Sequence, residues 1–422
     1  MEIAIRYGVL LRPKSLDFVI IIYICFFVYY FRYMLVHLSI FIIACVYLYY
    51  AETYGMVKSI RWLAIFLGML SIFVGLGDMI GGYDRYIYGE IFDDTYNNRQ
   101  LGWSLREIIN SPGSFDEKGY MMFNYLISFL TANRYIFILL STIFMYVMYF
   151  YAIKKYAIHY PMACVVFLGF FYYFTMTYLR QVLAVGIIWL SVDYIIKRDV
   201  VKFVLLVLLA STFHTSALIF MPMYFIGTRY YSLKKVYSFL FICLLLGFSP
   251  LPNMLVQYSG EVSEMQERFG HSASEWGGAR LDYIIESVFF LWVLYKNRHS
   301  IPRDKNSNVF FNILYAFCAI LLFFMRMGQG GRFGWYFMIG IIYVLSYLSV
   351  KRVIIKDIKM FVVIVCFVLF YRITSGWEGL IVPYKTFLTN GYPGGQRSIY
   401  EKFEYDHNYT KDKLYRDPWV LW

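Results

Sequence analysis

The chain has 422 residues, of which 60% are apolar and only 16% charged, and 39 Lys and Arg against 27 Asp and Glu give a net charge of +12. Soluble domains carry roughly 25% charged residues. The apolar residues here fall in long uncharged runs such as Ile20–Phe31, Val204–Phe213 and Met360–Tyr371, too uniform for barrel strands and too many for a soluble core. A bilayer core of about 30 Å is crossed by roughly 20 apolar residues as helix, and only helices or closed barrels satisfy their backbone groups in lipid. The fold class is therefore an all-α, polytopic integral membrane protein.

The first apolar run follows Arg6, Arg12 and Lys14 without a small-residue cleavage pattern, so it reads as a span that is retained. Spans are expected at 17–31, 33–51, 60–76, 134–153, 159–176, 180–196, 236–249, 281–295, 308–325, 333–350 and 358–373, about eleven crossings. Tyr120–Leu130 is too short to cross. Residues 203–226 are long for one span and interrupted by Ser211, Thr212, His214, Thr215 and Ser216, which suits a re-entrant pair that enters and leaves on one side.

This arrangement gathers the basic residues on one side, as cytoplasmic loops require. Arg12, Lys14, Lys58, Arg61, Lys154, Lys155, Lys197, Arg198, Lys202, Arg229, Lys234, Lys235, Lys296, Arg298, Arg303, Lys305, Lys351, Arg352, Lys356 and Lys359 make 20 of the 39. The N-terminus is then cytoplasmic. Residues 1–373 form the transmembrane domain, with outer loops 77–119 and 250–278, and residues 374–422 form an outward tail. The two outer loops hold 12 of the 27 acids and 5 of the 39 bases. The positive charge is thus a topology signal, which excludes a nucleic-acid partner.

The first outer loop is rich in aromatic side chains, among them Tyr83, Tyr86, Tyr88, Tyr96 and Trp103, and Trp276 marks the second. Tyr and Trp anchor proteins at membrane interfaces. Beside carboxylates and amides they also line sugar clefts, and Tyr83, Asp84, Tyr86 and Trp276 are the candidates for that role. The six cysteines all lie in apolar runs. No cysteine or histidine cluster, His-Glu-x-x-His or phosphate-binding glycine loop is present, so neither a metal nor a cofactor is expected. Any group transfer must draw on an already activated donor.

Charges within or beside spans are costly and mark cavities or partners. Arg180 opens a span on the outer side, where it can snorkel to the interface or grip a phosphate with its planar fork. Arg326 and Arg332 flank the turn Met327-Gly328-Gln329-Gly330-Gly331 and form a candidate anion clamp. His214 stands at the tip of the expected re-entrant pair, either bonded between helices or placed to exchange a proton. Asp84 and Glu117 are outer-loop carboxylates, solvated or directed at a sugar hydroxyl.

These residues occur in an ordered set: Asp84 among tyrosines, Glu117-x-Gly119-Tyr120, Arg180 followed by Ala184 with Lys197-Arg198 closing the span, Phe213-His214-x-Ser216-Ala217, and Gly331-Arg332-Phe333 with Tyr336. Over about residues 60–350 the chain resembles the EpsG family, within the Wzy-type polysaccharide polymerases of bacterial inner membranes. The resemblance implies a fold related to C-type glycosyltransferases and O-antigen ligases. It implies en bloc transfer between undecaprenyl-pyrophosphate-linked oligosaccharides, donor and acceptor, at the outer face of the inner membrane. Membrane lipids and a chain-length regulator protein are the further partners implied. His214, Arg180, Asp84 and Glu117 become candidate catalytic residues, and Arg180, Arg326 and Arg332 candidate pyrophosphate ligands. A ligase or another transferase on lipid-linked glycans is the nearest alternative. A flippase is more remote, because no internal repeat of the transporter kind is visible.

Overall fold

The computed structural model describes residues 16–79, 84–111, 116–258, 280–327, 330–350, 358–377, 381 and 384–388. The α-helices are α1 (Leu16–Thr53), α2 (Ile60–Gly75), α3 (Arg85–Gln100), α4 (Leu105–Ile109), α5 (Lys118–Ile127), α6 (Arg134–Tyr156), α7 (Tyr160–Phe170) and α8 (Leu179–Lys197). They continue with α9 (Val200–Ser211), α10 (Met223–Ile226), α11 (Leu233–Gly247), α12 (Leu251–Tyr258), α13 (Leu281–Lys296), α14 (Lys305–Phe323), α15 (Met338–Val350) and α16 (Ile358–Gly376). Tight helical turns fill Tyr172–Met176, Thr215–Phe220 and Gly330–Phe337. Among the described residues there is no strand, only one bridge between Gly77 and Thr386.

Every expected span from residue 60 onward falls on a helix. Among the described residues, length and composition alone make six helical segments capable of crossing a membrane: Met34–Thr53, Arg134–Tyr156, Leu179–Lys197, Lys305–Phe323, Gly330–Val350 and Ile358–Gly376. Helices α2, α7, α11 and α13 are shorter, so their four crossings stay an expectation. Where the sequence pattern predicts two spans, 17–31 and 33–51, there is one helix of 38 residues. Arg32 separated the two apolar runs, yet it is a good helix former, and no Gly, Pro, Asn or Asp stands beside it to make a turn. At 1.5 Å per residue α1 is about 57 Å long and crosses at most once. The cytoplasmic N-terminus, which needed two crossings here, no longer follows.

Burial separates the centre of the bundle from its rim. In α8, α14 and the Gly330–Val350 segment 83% of the most apolar window is buried, against 28% in α16. Helix α7 is buried at every position, the environment expected of a helix that is apolar all round. Close packing here depends on small residues. A Cβ on Gly340 would stand 2.8 Å from the Leu314 amide nitrogen and 2.9 Å from the Phe310 carbonyl, so α15 lies directly on the α14 backbone.

The basic clusters meet at one end. Lys155, closing α6, and Lys197, closing α8, both reach Asp193 at 2.7 Å. Lys359 donates to Glu52 at 2.6 Å, and Glu52 is 3.2 Å from His159. Lys58 donates to the Ala157 carbonyl at 2.6 Å. Cations in the last turn of α6 and α8 also suit the carbonyl ends of those helices.

Residues 200–226 form the hairpin that the polar interruption predicts. Helix α9 has 12 residues, about 18 Å by its rise, and it stops at Thr212. The chain then returns through Thr215–Phe220 and α10. The two feet are tied together: Arg198 donates to the Tyr224 carbonyl at 2.6 Å, and the Tyr224 hydroxyl donates to the Arg198 carbonyl at 2.8 Å. Asn312 of α14 secures the returning foot by donating to the carbonyls of Ile226, Gly227 and Arg229 at 3.1, 2.7 and 2.7 Å.

The far end is closed by the start of the C-terminal stretch. The Asp78 amide donates to the Lys385 carbonyl at 3.1 Å, Tyr384 stacks on Phe73 at 4.0 Å, and His37 bonds the Ile381 carbonyl at 2.9 Å. Ile381 and Tyr384 are thus packed on α1 and α2.

Asn312→Leu removes the amide that holds three carbonyls, and unmet buried acceptors cost about 1–3 kcal/mol each. The variant should unfold in detergent at least several degrees below the wild type. An unchanged transition would show that Asn312 does not secure the hairpin.

Candidate active site

Segments far apart in sequence converge at the end of α8 opposite the basic clusters. Helix α9 leaves its last carbonyls without intrahelical partners, and α5 leaves its first amides so. The two helix ends answer each other: the amides of Gly119 and Tyr120 donate to the Thr212 carbonyl at 3.0 and 3.2 Å. The approach needs glycine, since a Cβ on Gly119 would stand 2.6 Å from Thr212 Cβ. This contact places Glu117, which precedes α5, against Arg180 in the first turn of α8, where a carboxylate oxygen accepts from Nη1. Both side chains are buried.

His214 follows Thr212 at the hairpin tip. Its Nδ1 is 2.7 Å from the Ser216 hydroxyl, which lies 2.9 Å from the Tyr336 hydroxyl. Arg332 comes from the Gly330–Phe337 turn. Its guanidinium lies 4.1 Å over the Tyr178 ring, and its carbonyl accepts from Gln181 at 3.0 Å. Arg180 and Arg332 are both within electrostatic reach of His214. Asp84, at the start of α3, is held by its amide on the Thr177 hydroxyl at 3.1 Å.

Tyr88, one turn into α3, reports how close these groups are. Burial pushes its phenol above the ordinary tyrosine range and the Asp84 carboxylate adds to that, while Arg180 and Arg332 act in the opposite direction. Tyr88 also meets Tyr120 edge to face, with ring centroids 5.9 Å apart. Asp84, Tyr88, Glu117, Arg180, His214 and Arg332 therefore share one site, drawn from segments spread over about 250 residues.

Two candidates stand elsewhere. Arg326 flanks the same turn as Arg332 but donates to the Phe248 carbonyl beyond α11 at 3.4 Å. Tyr86 is buried on α3, two residues before Tyr88 and so on a different side of the helix. Tyr83 and Trp276 lie outside the described residues. Arg85 proves structural, donating to the carbonyls of Val74 and Gly77 at 3.0 and 3.1 Å and so covering the end of α2. Sequence reasoning missed Tyr88, Tyr178 and Thr212 as site residues. Nothing marks Tyr88 and Tyr178 among 43 tyrosines, and Thr212 acts through its backbone.

Chemically, each guanidinium offers a planar fork that fits a carboxylate or a phosphate. Arg180 already holds one in Glu117, in the charge-assisted bonding that a phosphate oxygen would reproduce.

The EpsG family matches residues 60–386. The chain belongs to the EpsG family. That family is associated with Wzy-type polysaccharide polymerases, and membership points this chain to polysaccharide polymerisation. No curated protein and no solved structure matches it. The EpsG match covers every residue of the cluster. It runs on beyond α16 to the Gly77–Thr386 bridge, and it leaves out α1.

Removing one member of a buried ion pair costs about 3–5 kcal/mol, whereas replacing both by apolar side chains costs far less. Glu117→Ala should therefore lower the unfolding transition more than the double change Glu117→Leu with Arg180→Met. A double variant as unstable as the sum of its single changes would mean that the two side chains are not coupled.

Proposed function

We propose that this EpsG-family chain polymerises undecaprenyl-pyrophosphate-linked oligosaccharide repeat units by en bloc glycosyl transfer, at the outer face of a bacterial inner membrane. The supporting observation is the convergence of buried Arg180 with half-buried Arg332 and His214 in one site, at the end of the bundle opposite the basic loops. With those loops cytoplasmic, the site faces outward, where the lipid-linked donor would enter along the apolar helices.

In this reading the donor brings its own leaving group, so no nucleotide is consumed. Arg332, stacked on Tyr178, and Arg180, released from Glu117, take up the charge that develops on the pyrophosphate as the glycosidic bond breaks. Positioned donors in a water-poor site are effective because they need no reorganisation during the reaction. His214, fixed through Ser216 and Tyr336, holds the acceptor hydroxyl. Asp84 and Tyr88 bond sugar hydroxyls beside it. The outer-face and inner-membrane placements, the lipid carrier and a chain-length regulator as partner all belong to this proposal.

Arg332→Lys keeps the charge but loses the planar fork. It should cut polymer formation at least tenfold in cells while folded protein stays at wild-type abundance. Full-length polymer in this variant would remove Arg332 from the mechanism. His214→Gln, which still hydrogen-bonds, should retain measurable activity that His214→Ala loses. Equal activity in both would end its role at the acceptor. For orientation, a cysteine at Asn98 in a cysteine-free background should react with impermeant reagent in intact cells. Reaction only after permeabilisation would reverse the topology.

A further inference from the structure

Next to the cluster lies a cavity of about 450 Å³ between α7, α13, α14, α16 and the Gly330–Phe337 turn. Ligand sites commonly enclose about 300–1,000 Å³. Its wall shares Tyr178 and Arg332 with the cluster and adds Arg280, Asp282, Glu286 and Arg372. Trp335 forms an aromatic side, stacked on Phe174 at 4.1 Å and tilted against Tyr178 at 4.9 Å. The cavity is tied to the Arg332 turn, since the Gly331 amide donates to the Tyr283 hydroxyl at 3.0 Å.

The two carboxylates are placed differently. Asp282 is neutralised by Arg280 at 2.9 Å, with Arg372 at 4.0 Å. Glu286 is one helical turn further on, on the same face of α13. It is half-buried in an apolar helix and forms no hydrogen bond or ion pair with any described residue, although it lines the cavity. A carboxylate inside a membrane-spanning helix is expensive unless a partner, a cavity or a ligand uses it. An aromatic wall, paired charges and one uncommitted carboxylate are what a sugar needs: ring faces for its C–H groups and polar groups for its hydroxyls.

We propose that this cavity is the acceptor-sugar subsite, and that Glu286 takes the proton from the attacking hydroxyl. The inference rests on the polymerase reading above. The acceptor oxygen gives an electron pair to the donor's anomeric carbon and forms the new glycosidic bond. The bond from that carbon to the pyrophosphate oxygen breaks, and its electron pair leaves with the pyrophosphate, which Arg332 and Arg180 receive. The hydroxyl proton passes to a Glu286 carboxylate oxygen and then to water. Arg332 stands on the wall shared by the two compartments, so it joins the leaving group to the acceptor subsite.

The test is linkage formation by the purified full chain with synthetic undecaprenyl-pyrophosphate-linked repeat units, at varied acceptor concentration and pH. General bases contribute about 10²–10⁴-fold. Glu286→Gln, nearly isosteric, should lower kcat at least 100-fold, leave the acceptor KM within a few-fold, and abolish the acidic limb of the pH profile. Leu321→Trp fills the cavity from α14 and should raise the acceptor KM at least tenfold with the pH profile unchanged. If the wild type forms linkages and Glu286→Gln matches it in kcat and pH profile, the base role is overturned. If Leu321→Trp leaves the acceptor KM unaltered, the subsite is overturned. A wild type that forms no linkage would instead overturn the polymerase reading itself.

Discussion

A helix that stops short leaves its last carbonyl groups without partners, and the site depends on how this chain meets that constraint. Helix α9 ends after 12 residues, and the Thr212 carbonyl that follows it is covered by the first amides of α5, another helix too short to cross. Two sets of unpaired backbone groups, donors and acceptors, cancel in one contact. Because Gly119 allows that approach, Glu117 comes against Arg180, and His214 lies within electrostatic reach of Arg180. The hairpin feet, locked by Arg198, Tyr224 and Asn312, fix the height at which the tip sits. Chemistry at the far end is thus positioned by bonds made at the basic end.

Much of the architecture was legible because lipid imposes simple rules. Uncharged runs gave the helices from residue 60 onward, and the polar break at 211–216 gave the hairpin and its tip. The one-sided lysines and arginines correspond to contacts such as Lys155 and Lys197 on a shared Asp193. The pattern misled at Arg32, where one charge was read as a boundary although a long flexible side chain does not interrupt a helix.

The site was legible in part. Arg180, His214 and Arg332 stood out because charges and histidine are rare in apolar segments, and all three share the cluster. Arg326 satisfied the same rule and points elsewhere, since which side of a turn an arginine takes is decided by packing. Glu286 met the rule as well, but one acid near the start of a span is not distinctive in a linear sequence. Only the fold places it, one turn beyond a neutralised Asp282, on a cavity that also reaches Arg332. Asp84, Glu117 and Arg332 are brought together over more than 200 residues by helix packing that has no local signature.

The proposed function has Arg180 and Arg332, at the end of the bundle opposite the basic loops, drive glycan transfer from a lipid pyrophosphate. The most direct measurement uses the full chain in proteoliposomes supplied only with synthetic undecaprenyl-pyrophosphate-linked repeat units. A ladder of lipid-linked polymers should appear without sugar nucleotide, with one undecaprenyl pyrophosphate released for each new linkage. A ladder that requires added sugar nucleotide, or that grows without release of the lipid pyrophosphate, would contradict the account.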